Sequence, residues 1–571
     1  MTIQGYSIST SSQVLSSWRN NLNKIPLSSP FTQIDLPNKS IVDRIFDSLE
    51  ASANSHADQP VVTEAFGDRR SITHNDLRTK SLSLAAFLQS RSFSDGDKAT
   101  MIVPNCIELP IFALGVWTAG GAIVGSSIAY KTYETRYQLV DSQSVVVFTT
   151  EDLLDSILEA VKECPAVKTI ICIRRSAQFI MPEGVVDFHD ATNFEHTERR
   201  RSVSLDSPAL VFYSSGTTGV PKGVVHTIRS FHAGIEQLRR HWEIEIFPKL
   251  TMEDVDWRTE NQLITIPCYH LMGFTLLSWF LMAGSPIVLL QSFREGVLAN
   301  ALSLFKPRFI VGHPAMAKFL TTDKSGCTAD LTSVQLFVSS GSPIRSELAA
   351  QFVEKHPSVM HLVQIYGMTE LLFCHLPLLG KDKVNISSGV LGAMYEQKIV
   401  DVETGVACLQ GERGEICLRG APMTIGYLNK PKSTAHLFDE EGWLHTGDIG
   451  YIDSNGELHL VERLKELIKM NYNNVILQIC PSEIEQVLIS HPKIIDAAIV
   501  GIEDNESEYL IRAFVVRTDQ SLSEGDVEDF VTNHLADYKR LTGGVRFIDA
   551  IPRSESGKMQ RLKLKSLNEA A

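Results

Sequence analysis

Apolar and polar positions along the chain follow two alternating periods. Val145–Thr149, Thr169–Ile173, Ala209–Tyr213 and Phe309–Val311 are short runs rich in β-branched residues, and they read as buried strands. Ser81–Leu88 and Ile228–Trp242 read as helices; in the second, Phe231, Ile235, Leu238 and Trp242 recur at helical spacing on one face. This alternation predicts α/β architecture with largely parallel sheets. Leu271–Leu290 carries no charge and is long enough to span a membrane at about 20 residues. Gly284-Ser285-Pro286 interrupts it before Ile287-Val288-Leu289-Leu290, so a buried helix followed by a buried strand is expected. After about Gly442 the texture changes to short strands and turns, with Gly447-Asp448 and Asp453-Ser454-Asn455-Gly456 as turn signals. Asn455-Gly456 between apolar runs predicts a hairpin leading into Leu458–Val461. From Lys465 onward the signals describe a compact α+β unit, broken by Gly543-Gly544. The expected parts are a flexible leader 1–38, a large part 39–464 and a small part 465–571, without internal repeats.

Composition narrows the classes. At 571 residues, 44% hydrophobic and 21% charged, the chain excludes a disordered, collagenous or coiled-coil protein. A net charge of −14 repels phosphate backbones and predicts no nucleic-acid partner. Nine scattered cysteines include no Cys-x-x-Cys pair, which argues against a zinc ribbon and for reduced, buried thiols in an intracellular protein, cytoplasmic or organellar. The first 34 residues lack Asp and Glu and contain no apolar signal core; a flexible leader fits them better than a transit peptide. The chain closes on Glu569-Ala570-Ala571, not on the Ser-Lys-Leu peroxisomal address. No integral membrane segment is expected; peripheral membrane contact is left open.

The strongest chemical signal is Tyr213-Ser214-Ser215-Gly216-Thr217-Thr218-Gly219-Val220-Pro221-Lys222-Gly223-Val224. It follows a buried strand and is expected to lead into a helix. Its glycines let backbone N–H groups close on an anion, Ser214, Ser215, Thr217 and Thr218 add hydroxyl donors, and Lys222 adds a charge. That is a loop for a polyphosphate. Pro221 stands where a Walker A loop needs glycine. A mere surface turn would explain a shorter stretch than this.

The segment resembles the signature loop of the adenylate-forming (AMP-binding) superfamily, in its acyl-CoA synthetase, coumarate–CoA ligase and firefly luciferase-like branch. The resemblance continues in order from about residue 40 to 565. It implies a large N-terminal AMP-binding part of several α/β subdomains, a small mobile C-terminal α+β domain, and ATP at their junction. Ser339-Ser340-Gly341-Ser342-Pro343 resembles the segment that passes over adenine. Tyr366-Gly367-Met368-Thr369-Glu370 resembles the motif whose tyrosine stacks on adenine, whose threonine meets the α-phosphate and whose glutamate holds Mg²⁺. Thr446-Gly447-Asp448 and Arg463 match the two ribose contacts, and Lys465 the hinge. Pro552–Lys558 matches the C-terminal motif whose lysine, here Lys558, serves adenylation. Singly, Glu370, Asp448 and Lys558 would read as a solvated carboxylate, a turn residue and an exposed amine. The ordered set lifts the functional reading.

The second half-reaction of the family passes the acyl group to a thiol. The resemblance implies that Lys469 enters that step and that His270, in Pro267–Gly273, gates the acyl site; alone, His270 would read as a core histidine. Two departures stand out. Between Lys469 and Pro481 the chain runs about four residues longer than the family pattern, without the pattern's glycine; Asn471 or Asn473 is expected to supply the turn. After Glu370 come the bulky Leu371-Leu372-Phe373-Cys374, expected to reshape the acid site, with Phe373 an alternative stacking partner for an aromatic acid. The expected activity is an AMP-forming acid–CoA ligase using ATP, Mg²⁺ and coenzyme A on a small aromatic or medium-chain acid, as in fatty acid metabolism. The alternatives are luciferase-like oxidation of the adenylate, and adenylation without CoA transfer, as a carrier-protein loader or a nucleotide-binding protein.

Overall fold

In a computed structural model, residues 26–31, 34–36, 38–55, 59–196, 203–214, 221–250, 259–291, 296–323, 326–472, 475–504, 508–535, 537–553 and 559–569 are described. The chain divides into two compact units. The first holds 26–397 and 418–444; the second holds 398–417 and 445–571.

The first unit is α/β. Its largest sheet has eight strands, in the order Gly426–Tyr427, Lys222–Thr227, Pro208–Ser214, Ala122–Gly125, Lys98–Ile102, Val146–Thr150, Thr169–Ile173, Val185–Asp187. The two joints involving Lys222–Thr227 are antiparallel and the others are parallel. A second sheet is parallel through Gln262–Ile264, Ile287–Leu289 and Pro60–Glu64, and a third through Phe309–Gly312, Leu336–Ser339, His361–Gln364 and Val384–Asn385. Parallel strands are covered on both faces, which is why these segments are apolar throughout. Trp117, Phe231 and Phe274 pack together in the main core, where the Trp117 indole N–H donates to the Ala209 carbonyl at 3.0 Å.

The uncharged stretch resolves as expected into a helix, Leu271–Ala283, and a strand, Ile287–Leu289. Gly284, at φ 71°, ends the helix, with Gly284 N–H bonding to Leu281 and Ser285 N–H to Phe280. Among the described residues no helix is long and apolar enough to cross a membrane. Leu27 and Ser28, within the segment read as a leader, pair antiparallel with Gln397 and Glu396.

Three local expectations need correction. The polyphosphate loop does not run from strand into helix. Lys222–Thr227 is itself a strand, antiparallel to Pro208–Ser214, and the helix Ile228–His241 starts only after it, capped by Thr227. Val224 and Val225 fit a strand covered on both sides, opposite Phe212 and Val211. Gly447-Asp448 is not a turn between strands: both residues lie inside the strand Leu444–Ile452, where Gly447 takes φ 68°. Asn471 does not supply the turn after Lys469: Ile468–Tyr472 pairs antiparallel with Val475–Ile479 as a hairpin. Asn471 sits in its first strand, and Asn473 lies outside the described residues.

The second unit is α+β. The expected hairpin pairs Leu444–Ile452 with Leu458–Arg463 around Gly456, at φ 83°. Ile494–Asp504 and Glu508–Arg517 form a long antiparallel pair, and Val545–Phe547 adds in parallel. Helices Pro481–Ile489 and Glu524–His534 close a core that includes Ile468, Ile484, Ile499, Ile511 and Val527.

Candidate functional site

In the first unit the site assembles at the mouth of the Pro208–Ser214/Lys222–Thr227 hairpin. Ser214 and Lys222 are direct cross-strand partners, so they flank the segment between them. Ser215, Gly216, Thr217 and Thr218 lie outside the described residues. The mouth of the hairpin is tied down from outside. The Tyr213 hydroxyl donates to Asp141 Oδ2 at 2.9 Å, Lys430 Nζ to Asp141 Oδ1 at 2.7 Å, and the Tyr137 hydroxyl to the Pro221 carbonyl at 2.9 Å. Burial and the Asp141 carboxylate hold the Tyr213 phenol well above its usual range, so it stays a donor.

Glu370 meets this mouth. Its Oε1 accepts from the Ser214 hydroxyl at 3.1 Å and from the Tyr427 hydroxyl at 2.9 Å. The Lys222 ammonium stands 5.0 Å from the centre of the Tyr427 ring. Glu370 is only 4% exposed, and among the described residues no cationic side chain forms an ion pair with it. A buried carboxylate served only by neutral hydroxyls favours a cation. Mg²⁺ takes oxygen donors, commonly one or two carboxylates completed by phosphate and water, and this donor set fits it.

Thr369 and Glu370 sit at the turn of a small hairpin, Tyr366–Met368 against Leu372–Leu376. Gly367 is required there, because a Cβ would lie 2.0 Å from the Leu372 carbonyl oxygen. His226 donates from Nε2 to the Thr369 carbonyl at 2.7 Å. Burial pushes the His226 imidazole down to about 4, so it is neutral at physiological pH. From the other side, the Thr424 N–H donates to the Glu370 carbonyl at 2.9 Å, and the Thr424 hydroxyl to Val225 at 2.6 Å. Leu371, Leu372, Phe373 and Cys374 are all buried. Leu372 lies over Gly234 of the helix, and the Phe373 carbonyl accepts from Gln237.

Gly341, Ser342 and Pro343 follow the strand Leu336–Ser339, and Tyr366 follows His361–Gln364. Both segments therefore leave the carboxyl ends of adjacent parallel strands, where open α/β sheets bind ligands. Gly341 takes φ 85° and packs so closely on His313 that a Cβ would stand 2.8 Å from its Nδ1. Tyr366 is buried, 5.8 Å from His375 between ring centres. His270 is exposed and precedes the helix Leu271–Ala283, its ring 4.8 Å from that of Tyr269.

In the second unit, Asp448 and Arg463 are cross-strand partners, and Arg463 Nε lies 3.0 Å from Asp448 Oδ1. The Thr446 hydroxyl accepts from the Asp448 N–H at 3.0 Å and donates to the Ile416 carbonyl at 2.8 Å. Lys465 lies in the short turn Leu464–Glu466. Lys469 is in the first strand of the Ile468–Ile479 hairpin, paired with Gln478. Lys558 lies outside the described residues; beside its segment, Arg553 and Met559 pair as an antiparallel bridge, and Arg553 bonds Asp496 at 2.9 Å.

Sequence reading missed Tyr427, His226, Thr424, Asp141 and Tyr137. Tyr427, Thr424, Asp141 and Tyr137 join the site from distant stretches of chain, His226 lies on the strand that begins at Lys222, and none belongs to a motif of its own.

Known proteins match this arrangement along most of the chain. The AMP-binding enzyme family matches residues 49–428, and the AMP-binding enzyme C-terminal domain matches residues 483–558. 4-Coumarate–CoA ligase 1 of Arabidopsis thaliana is 31% identical, across 97% of this chain and 98% of that protein. 4-Coumarate–CoA ligase 3 of Oryza sativa subsp. japonica is 32% identical, across 87% of each. Among solved structures, ATP-bound MatB from Rhodopseudomonas palustris superposes with a TM-score of 0.79 at 22% identity, covering 93% of this chain and 99% of that one. The anthranilate CoA ligase AuaEII, in complex with anthranoyl-AMP, superposes with a TM-score of 0.78 at 24% identity, covering 94% and 99%. At these identities the structural likeness speaks for the fold.

Proposed function

The chain belongs to the AMP-binding enzyme family, and we propose that it is an AMP-forming acid–CoA ligase that uses ATP, Mg²⁺ and coenzyme A. The observation that carries this reading is the likeness to coumarate–CoA ligases over nearly the whole chain. The convergence of Ser214, Lys222, Glu370 and Tyr427 at one hairpin mouth supports it chemically.

A carboxylate is a poor electrophile and needs activation. In the first step an oxygen of the acid attacks the ATP α-phosphorus, and the bond to pyrophosphate breaks. In the second, a thiol adds to the acyl carbonyl, AMP leaves, and the thiol proton passes to solvent. Glu370 would hold Mg²⁺, which would supply charge stabilisation to the phosphates. We assign Ser214, Ser215, Gly216, Thr217, Thr218 and Lys222 to phosphate binding, by hydroxyl and N–H donors and one ammonium. Thr369 is assigned to the α-phosphate, with its carbonyl held by His226 so that the side chain keeps a fixed bearing. Gly341, Ser342, Pro343 and Tyr366 are assigned to adenine, and Asp448 and Arg463 to ribose. Lys558 serves adenylation, Lys469 serves thiol transfer, and His270 gates the acyl site. The working parts are assigned as 39–464 and a moving 465–571.

The acid is proposed to be small and aromatic or medium-chain. The enzyme is placed inside the cell, cytoplasmic or organellar, since Cys106, Cys164, Cys172, Cys268, Cys374 and Cys417 are buried and unbridged. The longer stretch after Lys469, without the family pattern's glycine, motivates one second reading, adenylation with transfer to a carrier-bound thiol in place of free CoA.

An ATP–pyrophosphate exchange screen over an acid library tests both readings when repeated with CoA and mass detection. The ligase reading expects exchange with one acid class and an acyl-CoA product. Exchange without acyl-CoA would favour the carrier reading, and no exchange with any acid would sink both.

A further inference from the structure

We propose that Glu415, Cys417 and His445 form a binding site for a divalent cation of the zinc class. The site lies within the second unit, whereas the carboxylate assigned to Mg²⁺ belongs to the first. Glu415 and Cys417 are two residues apart on the strand Gly414–Gly420, so their side chains share a face. His445 stands on the neighbouring strand Leu444–Ile452 of the same sheet. One ligand atom from each residue lies within 4.8 Å of the other two. The nearest approaches are 2.8 Å from His445 Nδ1 to Glu415 Oε2, and 3.5 Å from His445 Nδ1 to Cys417 Sγ.

The geometry points to a metal rather than to a hydrogen-bonded trio. A single ring nitrogen, Nδ1, faces both the carboxylate oxygen and the sulfur. A ring nitrogen holds one proton at most, so it serves only one of them fully, and the sulfur's other contact is a long 3.9 Å approach to the Glu415 carbonyl. A cation shared by all three takes one donor atom from each residue. The spacing suits zinc: with bonds of about 2.3 Å to sulfur and about 2.0 Å to nitrogen, tetrahedral donors stand about 3.5 Å apart. The sulfur–nitrogen pair already has that separation, and the oxygen–nitrogen pair needs to open by about half an ångström. The carboxylate is pre-oriented, because its other oxygen, Oε1, accepts from the Gly447 N–H at 2.9 Å. Cys417 is buried and His445 half-buried, which leaves solvent a way in for the metal and for a water as fourth ligand. A mixed S, N, O set selects zinc-class ions over Mg²⁺ and Ca²⁺, which prefer oxygen alone. On binding, the thiol gives its proton to solvent and the thiolate bonds the metal. Without Cys-x-x-Cys spacing the site carries no linear signature, because its ligands come from two strands.

The test uses the full chain, stripped with a chelator and titrated with Zn²⁺ and with Co²⁺ in excess Mg²⁺. The expected result is one equivalent bound, with a thiolate-to-Co²⁺ charge-transfer band that Mg²⁺ does not remove. Cys417→Ser should abolish that band and weaken Zn²⁺ at least tenfold. His445→Gln, checked for folding by circular dichroism, should also weaken Zn²⁺ at least tenfold and decides the matter should Cys417→Ser misfold. Glu370→Gln should bind Zn²⁺ as the unaltered chain does, which keeps this site separate from the ligase reading. No charge-transfer band in the unaltered chain, or unaltered Zn²⁺ affinity in the folded variants, overturns the proposal.

Discussion

His226 and Thr369 are joined by a 2.7 Å hydrogen bond from the imidazole Nε2 to the backbone carbonyl. His226 lies on the strand that begins at Lys222, and Thr369 lies beside Glu370. One bond therefore fixes the strand carrying the phosphate-facing lysine against the turn carrying the buried carboxylate. His226→Phe keeps the bulk but leaves the Thr369 carbonyl without its donor. The expected cost is about 1–3 kcal/mol of stability, with a raised KM for Mg·ATP. Urea denaturation and steady-state kinetics check it; an unchanged KM would remove the link between this bond and the site.

Glu370→Gln should slow pyrophosphate exchange by about 10²–10³ and shift the Mg²⁺ dependence upward, since it removes the buried charge assigned to the cation. Tyr427→Phe removes one hydroxyl donor from the same oxygen. Its effect should be smaller, about tenfold. A Mg²⁺ titration of exchange rates distinguishes the two. Equal losses with no change in Mg²⁺ dependence would move the metal elsewhere.

The two lysines should separate the half-reactions. Lys558→Ala is expected to slow adenylation by about 10²–10³, the loss of one transition-state donor. Lys469→Ala should retain pyrophosphate exchange while slowing thioester formation. Burst-phase measurement of adenylate and acyl-CoA reads both steps, and parallel losses in the two variants would contradict a division of labour.

Acid should destabilise the fold before its carboxylates titrate. Burial pushes His232, His241 and His375 down to about 4, below an ordinary value near 6.5. Between those values the unfolded chain takes up protons that the folded chain refuses. Stability is therefore full above about pH 6.5 and falls as pH drops toward 4, by up to about 1.4 kcal/mol per pH unit for each histidine. Denaturation midpoints at pH 7, 6 and 5 measure the slope. His375→Gln should flatten it; a variant with the full slope would exclude His375 as a contributor.

Local chemistry made much of this protein readable in advance. Thr169–Ile173 is apolar and β-branched, and it is a strand with those bounds. Gly284-Ser285-Pro286 cannot continue a helix, and the uncharged stretch divides there. Asn455-Gly456 forms its hairpin because glycine takes a positive φ without strain. These outcomes depend on a few neighbouring residues, so the sequence by itself determined them, and the ordered motifs determined the family. Tertiary structure alone decided the rest. Lys222–Thr227 is a strand because Pro208–Ser214 is there to pair with it. Tyr427 reaches Glu370 across 57 residues, and Tyr213 reaches Asp141 across 72. Glu415 and Cys417 meet His445 only because two strands lie side by side. Such meetings are set by sheet order and register, which sum many weak long-range contacts, and no local period along the chain encodes them.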